Sequence, residues 1–388
     1  MATGNVVYLD NAATSRPRPE VCAVMMRELQ ENYGNPSSLH ELGKRAKAVL
    51  EESRRTIAEY LNVEPDEIFF TSGGTESNNL AVRGVCRARG KEAGGIITSA
   101  LEHPSVTRSV RGLKREGWDV HYVEAVGGTF DLVAFEECLK ALPSLITVMG
   151  VQNELGYRMP IAQIVQMKNA LAPDAIVHTD LVQAFGKVDT PLQEWGVDLA
   201  SLSAHKIRGP KGIGALYVKR GTHMFTTAFG GGQERGLRSG TEAVFLIAGF
   251  AEAVRCTFRD RASEELRVRG LWNHLYDRLV SEVPNVIINS RSDGSPYLFN
   301  FSVSGMKNQK ALDYLSDHGV FVSKASACES NHLTVPPGTW RPKHPLSLQA
   351  AGIPLSQGKS TLRISFGYEN NEADVDTFVD CLKEYLSL

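Results

Sequence analysis

The chain has 388 residues, 42% of them hydrophobic and 22% charged, a globular balance that excludes disorder as the general state and leaves room for two domains. Lys and Arg total 42 against 44 Asp and Glu, so the net charge of -2 gives no electrostatic footprint for nucleic acid or an anionic membrane. A small-molecule substrate is expected, and the N-terminus MATGNVVYLDNAAT, with no basic region and apolar run, points to the cytoplasm.

From about 17 to 250, short apolar runs alternate with longer helical patterns, the signature of a parallel sheet covered by helices. Strands are expected at 68–71, 95–99, 145–149, 175–179, 198–202 and 214–219, and helices at 40–61, 76–90, 104–116 and 161–171. Beyond 250 come a helix over 260–282, strand-like runs near 297–303 and 361–366, and a last helix over 372–387, which together read as a smaller α+β domain. The proline-rich segment LTVPPGTWRPKHPLS, 333–347, cannot continue a helix and is expected to be an exposed loop. The six cysteines, at 22, 86, 138, 256, 328 and 381, contain no C-x-x-C pair, so neither a disulfide framework nor a zinc ribbon is expected.

Polar groups recur just after the expected strands, where open α/β sheets form ligand crevices. In SLSAHKIRGPKGIG, 201–214, the strand runs into Ser203, His205 and Lys206. A lysine there can form an imine with a carbonyl cofactor, although the motif alone favours a solvated surface amine. In FFTSGGTESNNLAV, 69–82, a strand meets Gly73-Gly74-Thr75 and a helix, a cradle for phosphate or a plain turn with Thr75 as N-cap. It is not a nucleotide P-loop: Gly358-Lys359-Ser360 mimics only the end of that motif, and Ile353 stands where glycine is required. In IVHTDLVQAFGK, 176–187, Asp180 and Gln183 follow a strand; a buried Asp180 needs a cation, whereas an exposed one merely caps a helix. Glu102-His103 and Gln152-Asn153-Glu154 occupy the same position after their strands. None is informative singly; their shared place is.

Together these motifs resemble the cysteine desulfurase family, the class-V aminotransferase branch of fold type I pyridoxal-phosphate enzymes. The resemblance spans nearly the whole chain, through YLDNAAT (8–14), GNPSSLHELGKRA (34–46), FTSGGTESNN (70–79), NELG (153–156), SAHK (203–206), GGGQERGLRSGT (230–241), SAC (326–328) and LRISFG (362–367). It implies a large domain, 15–254, with a mostly parallel seven-stranded sheet, and a small α+β domain formed by 1–14 with 255–388. It further implies pyridoxal 5'-phosphate as cofactor, Lys206 as its Schiff-base lysine, Asp180 on the pyridine nitrogen, Gln183 on the phenolic oxygen and His103 stacked on the ring and assisting proton transfer. Gly74, Thr75, Ser203 and His205 would hold the phosphate, joined by Thr241 from the second subunit of a homodimer. Asn153 and Arg363 would bind the substrate carboxylate, the latter through its planar fork.

By the same resemblance, L-cysteine becomes L-alanine while Cys328 takes the sulfur as a persulfide and passes it to an acceptor protein. The generic reading of a lone cysteine is a small buried apolar residue, but Cys328 lies in polar SKASACESNH, which favours an accessible loop. Lys324 would favour its thiolate and Glu329 oppose it; His332 could tune it, and no further ligands at zinc-site spacing accompany His332, so no metal is expected. Selenocysteine lyase, another class-V reaction and a catalytically silent docking protein are the competing readings. Leu181, Ala325, Tyr157-Arg158-Met159 and Glu329 depart from the family's usual residues and bear on loop mobility and the acceptor more than on cofactor chemistry.

Overall fold

The computed structural model describes residues 6–324 and 346–388. Its centre is a seven-stranded sheet built from β2 (Ile68–Thr71), β3 (Ile96–Ser99), β4 (Val120–Val123), β5 (Leu145–Thr147), β6 (Ile176–Asp180), β7 (Leu199–Ser203) and β8 (Gly214–Val218), in the order β2-β8-β7-β6-β5-β3-β4. The pairs β7–β6, β6–β5, β5–β3 and β3–β4 are parallel, and β8 runs antiparallel to both its neighbours. This is the mostly parallel α/β sheet expected of the family. Runs such as IITS, LIT and LASLS are buried at every position, because helices cover both faces and no strand residue is left a wet side.

The covering helices are α1 (Pro19–Glu31), α2 (Glu41–Leu61), α3 (Gly74–Arg89), α4 (Pro104–Arg115), α5 (Leu132–Leu139), α6 (Ile161–Leu171), α7 (Leu192–Trp195) and α8 (Val244–Glu282). α8 has 39 residues, beginning well before the 260 expected, and its N-terminal half packs against α1 and α2. That half, VFLIAGFAEAV, is apolar around most of its circumference because it is enclosed, so no polar face marks a helical period. α3 begins at Gly74 with Gly73 at the N-cap, so Thr75 lies inside the helix rather than capping it.

After α8 the chain forms an antiparallel sheet, β9 (Val286–Ile288), β10 (Leu298–Val303) and β12 (Thr361–Ser365), in the order β12-β10-β9. The N-terminal β1 (Val7–Tyr8) pairs in parallel with β11 (Val320–Phe321), and Asp10 bridges to Ser365, so the first residues join the C-terminal part. A separate apolar core including Trp272, Phe299, Phe301 and Phe378 fills this region. Of the expected exposed loop 333–347, residues 333–345 lie outside the described residues. Ser347 corrects its end: it belongs to a short helix, Leu346–Ala350, is buried, and donates to Glu154 Oε1 at 3.0 Å. Among the described residues no helix is long and apolar enough to cross a membrane.

Candidate active site

The ends of β2, β3, β5, β6 and β7 open onto one cavity of about 360 Å³. Gly74, Thr75, His103, Asn153, Asp180, Gln183, Ser203, His205, Lys206 and Arg363 all line it. Residues scattered over almost three hundred positions thus meet at the carboxyl edge of the sheet, where the parallel strands stop and their side chains face an open crevice. Thr241 does not line this cavity and is exposed. Cys328, with Ala325, Glu329 and His332, lies outside the described residues.

One end of the cavity is an anion cradle. Gly73 takes φ 147° and ψ -179°, a conformation open essentially to glycine alone, and this turns the chain from β2 directly into α3. A Cβ on Gly74 would come within 2.5 Å of the Val182 side chain, so the backbone there is as close to the neighbouring loop as it can be. The first N–H groups of a helix lack intrahelical acceptors and carry the positive end of its dipole. Ser203 and His205 stand beside them, with His205 Nδ1 3.2 Å from the Thr14 hydroxyl. Burial, aided by the charge of Lys206, holds the His205 imidazole down to about 3, so it is neutral near pH 7.

At the other end, Asp180 is buried, and desolvation raises its carboxyl above the usual range against hydrogen bonds from Val182 N–H (2.9 Å) and Asn78 (2.6 Å) and the charge of Lys206. The second Asn78 amide hydrogen goes to Ser105 Oγ at 2.8 Å, and Ser105 Oγ lies 2.7 Å from His103 Nδ1. Ser105 N–H also points at Nδ1, at 3.2 Å, as the capping interaction of α4. An N–H can only donate, so Nδ1 accepts and the ring proton resides on Nε2. Burial and then Lys206 draw the His103 pKa down to about 4, leaving a neutral imidazole.

The Lys206 amine donates to the carbonyls of Ala12 and Ala13, the latter at 2.7 Å. Gln183 also donates to Ala12 O, at 2.9 Å, and its Oε1 accepts from Lys187 at 2.9 Å. Arg363, on β12, is fully buried; it donates to Asn153 O at 3.0 Å and pairs with Asp10 at 2.7 Å, while its Nε has no partner among the described residues. Arg363 also exchanges backbone hydrogen bonds with Ser323, one residue before the described chain stops at Lys324.

Asn78 lines the cavity, and Ser105 and Lys187 contact residues that do, although none of the three stands out as a site residue in the sequence. Asn78 sits one helical turn after Gly74 within TESNN, and that i, i+4 spacing, which returns it to the same helix face, is the one signal the sequence offers. Glu102 is buried beside His103, held by the Ser99 hydroxyl at 2.5 Å and Met149 N–H at 2.8 Å, and desolvation lifts it to about 8. Burial thus favours its protonated form, and its Oε2 has no hydrogen-bond partner among the described residues.

Comparison with known proteins follows the same lines. Residues 7–378 match the aminotransferase class-V family. Cysteine desulfurase IscS of Clostridium botulinum is 35% identical over 386 residues, 98% of this chain and 94% of that protein. A solved NifS-like protein superimposes with a TM-score of 0.91 at 32% identity, covering 99% of this chain and 100% of its own. The structure described as SspA in complex with cysteine gives 0.78 at 31%, covering 92% and 98%. With matches of this extent to both sequence and fold, the chain belongs to the cysteine desulfurase family of class-V aminotransferases.

Proposed function

We propose that this protein is a cytoplasmic, pyridoxal-phosphate-dependent cysteine desulfurase that converts L-cysteine to L-alanine and moves the sulfur, through a persulfide on Cys328, to an acceptor protein. The observation that carries this reading is the grouping of an amine, a buried carboxylate and a helix N-terminus around one cavity: Lys206, Asp180 and the Gly73–Thr75 turn. A relative named as a cysteine desulfurase and a neighbour described in complex with cysteine support the substrate.

The residues present fit the cofactor. Asp180 is a desolvated carboxylate that lacks a full counter-charge, which a protonated pyridine nitrogen supplies. The α3 N-terminus with Thr75, Ser203 and His205 would hold the phosphate, and Lys206 would hold the carbonyl carbon covalently. When bound, pyridoxal phosphate provides an electron sink for the substrate α-carbon.

The remaining work belongs to the chain. Arg363 and Asn153 bind the substrate carboxylate; Arg363 is already aimed by Asp10 and by the Asn153 carbonyl. Lys206, whose amine lies in the cavity, would also carry the α-proton. His103, neutral with Nε2–H, presents a donor and a flat ring rather than a charge. Cys328 as thiolate attacks the substrate sulfur; the carbon–sulfur bond breaks, a sulfur–sulfur bond forms, and cysteine plus thiol become alanine plus persulfide.

The same reading divides the chain into a cofactor-binding domain, 15–254, and a small domain of 1–14 with 255–388. It pairs two subunits so that Thr241 reaches the neighbour's phosphate; the exposure of Thr241 supports a role outside its own cavity. Mass spectrometry of the loaded protein after brief cysteine treatment is the test. One added sulfur on Cys328, absent from Cys328→Ser, is expected; sulfur on another cysteine would reassign the acceptor residue.

A further inference from the structure

Lys187 is a buried lysine for which the reaction above has no use. Only 7% of it is exposed, and its Nζ donates to Gln183 Oε1 at 2.9 Å. Among the described residues, the charged groups acting on it are Lys206 and Arg363, both cations, and the Tyr297 ring lies 5.9 Å away. Burying an ammonium without an acid is costly, and a chain that needed only apolar filling would gain by placing Met or Leu here. Burial first, and then those two cations, draw its pKa down to about 7. Lys187 does not line the large cavity; it lines a separate pocket of about 50 Å³ that also touches Lys206.

Its contact falls on Gln183, a cavity residue whose function depends on which way its amide faces. The Gln183 oxygen and nitrogen have opposite hydrogen-bonding character, and only the NH₂ end can donate to an anionic oxygen. One hydrogen of that NH₂ is on the Ala12 carbonyl, but Ala12 O also accepts from Lys206, so that anchor is shared. Lys187 gives the amide oxygen a partner of its own. A flipped amide would turn its oxygen toward Ala12 O and toward the cavity, and would leave Lys187 facing an NH₂.

We propose that Lys187 is a positioning residue that fixes the Gln183 amide with its NH₂ end offered to the cavity, so that Gln183 donates to the cofactor's phenolic oxygen. This rests on the reading that Gln183 binds that oxygen. The buried amine is kept because its hydrogen bond fixes a neighbour, at some expense to stability.

The experiment compares wild type, Lys187→Met, Gln183→Met and the double variant, each loaded with pyridoxal phosphate, by the pH midpoint of the visible absorption band. A donor to the phenolic oxygen favours the unprotonated, more negative form, so Gln183→Met is expected to raise the midpoint by about one pH unit. Lys187→Met should raise it by at least half as much, and should add nothing in the Gln183→Met background. An equal shift in both backgrounds means that Lys187 acts through its charge directly, and overturns the proposal. A shift from Gln183→Met with none from Lys187→Met overturns it while leaving the reading of Gln183 intact. No shift from Gln183→Met removes both. Lys187→Gln, which keeps a donor, should return the midpoint toward wild type, and failure to do so with the fold intact also counts against the proposal. Thermal unfolding of the apoproteins provides the control, with Lys187→Met expected to melt no lower than wild type.

Discussion

Ser105 presents both its N–H and its hydroxyl to His103 Nδ1 while receiving a hydrogen bond from Asn78, and this small arrangement determines the tautomer of the cavity imidazole. Ser105→Ala keeps the helix-capping N–H but loses the hydroxyl bridge to Asn78. We expect kcat to fall about 10-fold with KM little changed, as for the loss of other groups that orient a catalytic ring; an unchanged kcat would remove the bridge from the account. Glu102 makes a second prediction at this scale. Its pKa rises from 4.5 to about 8 on folding, through burial, so between those values the folded protein holds a proton that the unfolded chain has lost. Stability from Glu102 is present below pH 4.5 and drains away as pH rises through 8, by at most about 1.4 kcal/mol per pH unit. Glu102→Gln removes that dependence, so its stability relative to wild type should climb between pH 5 and pH 8 in urea titrations; a constant difference would contradict the protonated acid. Glu102 stood out in the sequence only as a polar residue after its strand, and Ser105 did not stand out at all. Lys206, Asp180 and His103 follow strands and carry recognisable chemistry, but the importance of Ser105 or Lys187 comes from a partner brought to it by the fold.

At the scale of elements, the β2–α3 turn concentrates backbone constraint at the phosphate cradle. Gly73→Ala forces a Cβ onto φ 147°, which costs roughly 1–3 kcal/mol or a rearranged turn. The expected result is apoprotein melting a few degrees lower and at least a 10-fold weaker affinity for pyridoxal phosphate by absorbance titration; unchanged affinity would place the phosphate elsewhere. The strands of the sheet were readable as short apolar runs because burial on both faces demands them, with β4 the exception. Its VHYV mixes buried valines with a half-buried His121 and an exposed Tyr122, so it carries neither a continuous apolar run nor a clean alternation. α1 escaped because only Val21 and Glu28 are buried along its 13 residues, too few to set a period. The start of α8 escaped for the opposite reason, being enclosed by α1 and α2.

At the scale of the molecule, three histidines among the described residues are held neutral by burial: His103 at about 4, and His178 and His205 at about 3. The unfolded chain protonates them near 6.5, while the folded chain does not, so stability should fall as pH drops below 6.5 through this window. Measured in the Glu102→Gln apoprotein, which lacks the opposing pH dependence of that acid, thermal midpoints should decline from pH 7 to pH 5, and a flat profile there would mean that these rings protonate without cost. The sequence also carried much of the whole-chain pattern, since residues of YLDNAAT, FTSGGTESNN, NELG, SAHK and LRISFG line one cavity, whereas GNPSSLHELGKRA and GGGQERGLRSGT do not reach it and Cys328 lies outside the described residues. The most direct measurement of the central claim is alanine released from L-cysteine by the pyridoxal-phosphate-loaded protein in the presence of a thiol reductant. The account predicts alanine and sulfide in equal amounts from wild type and neither from Lys206→Ala. A protein that binds the cofactor yet yields no alanine would contradict it.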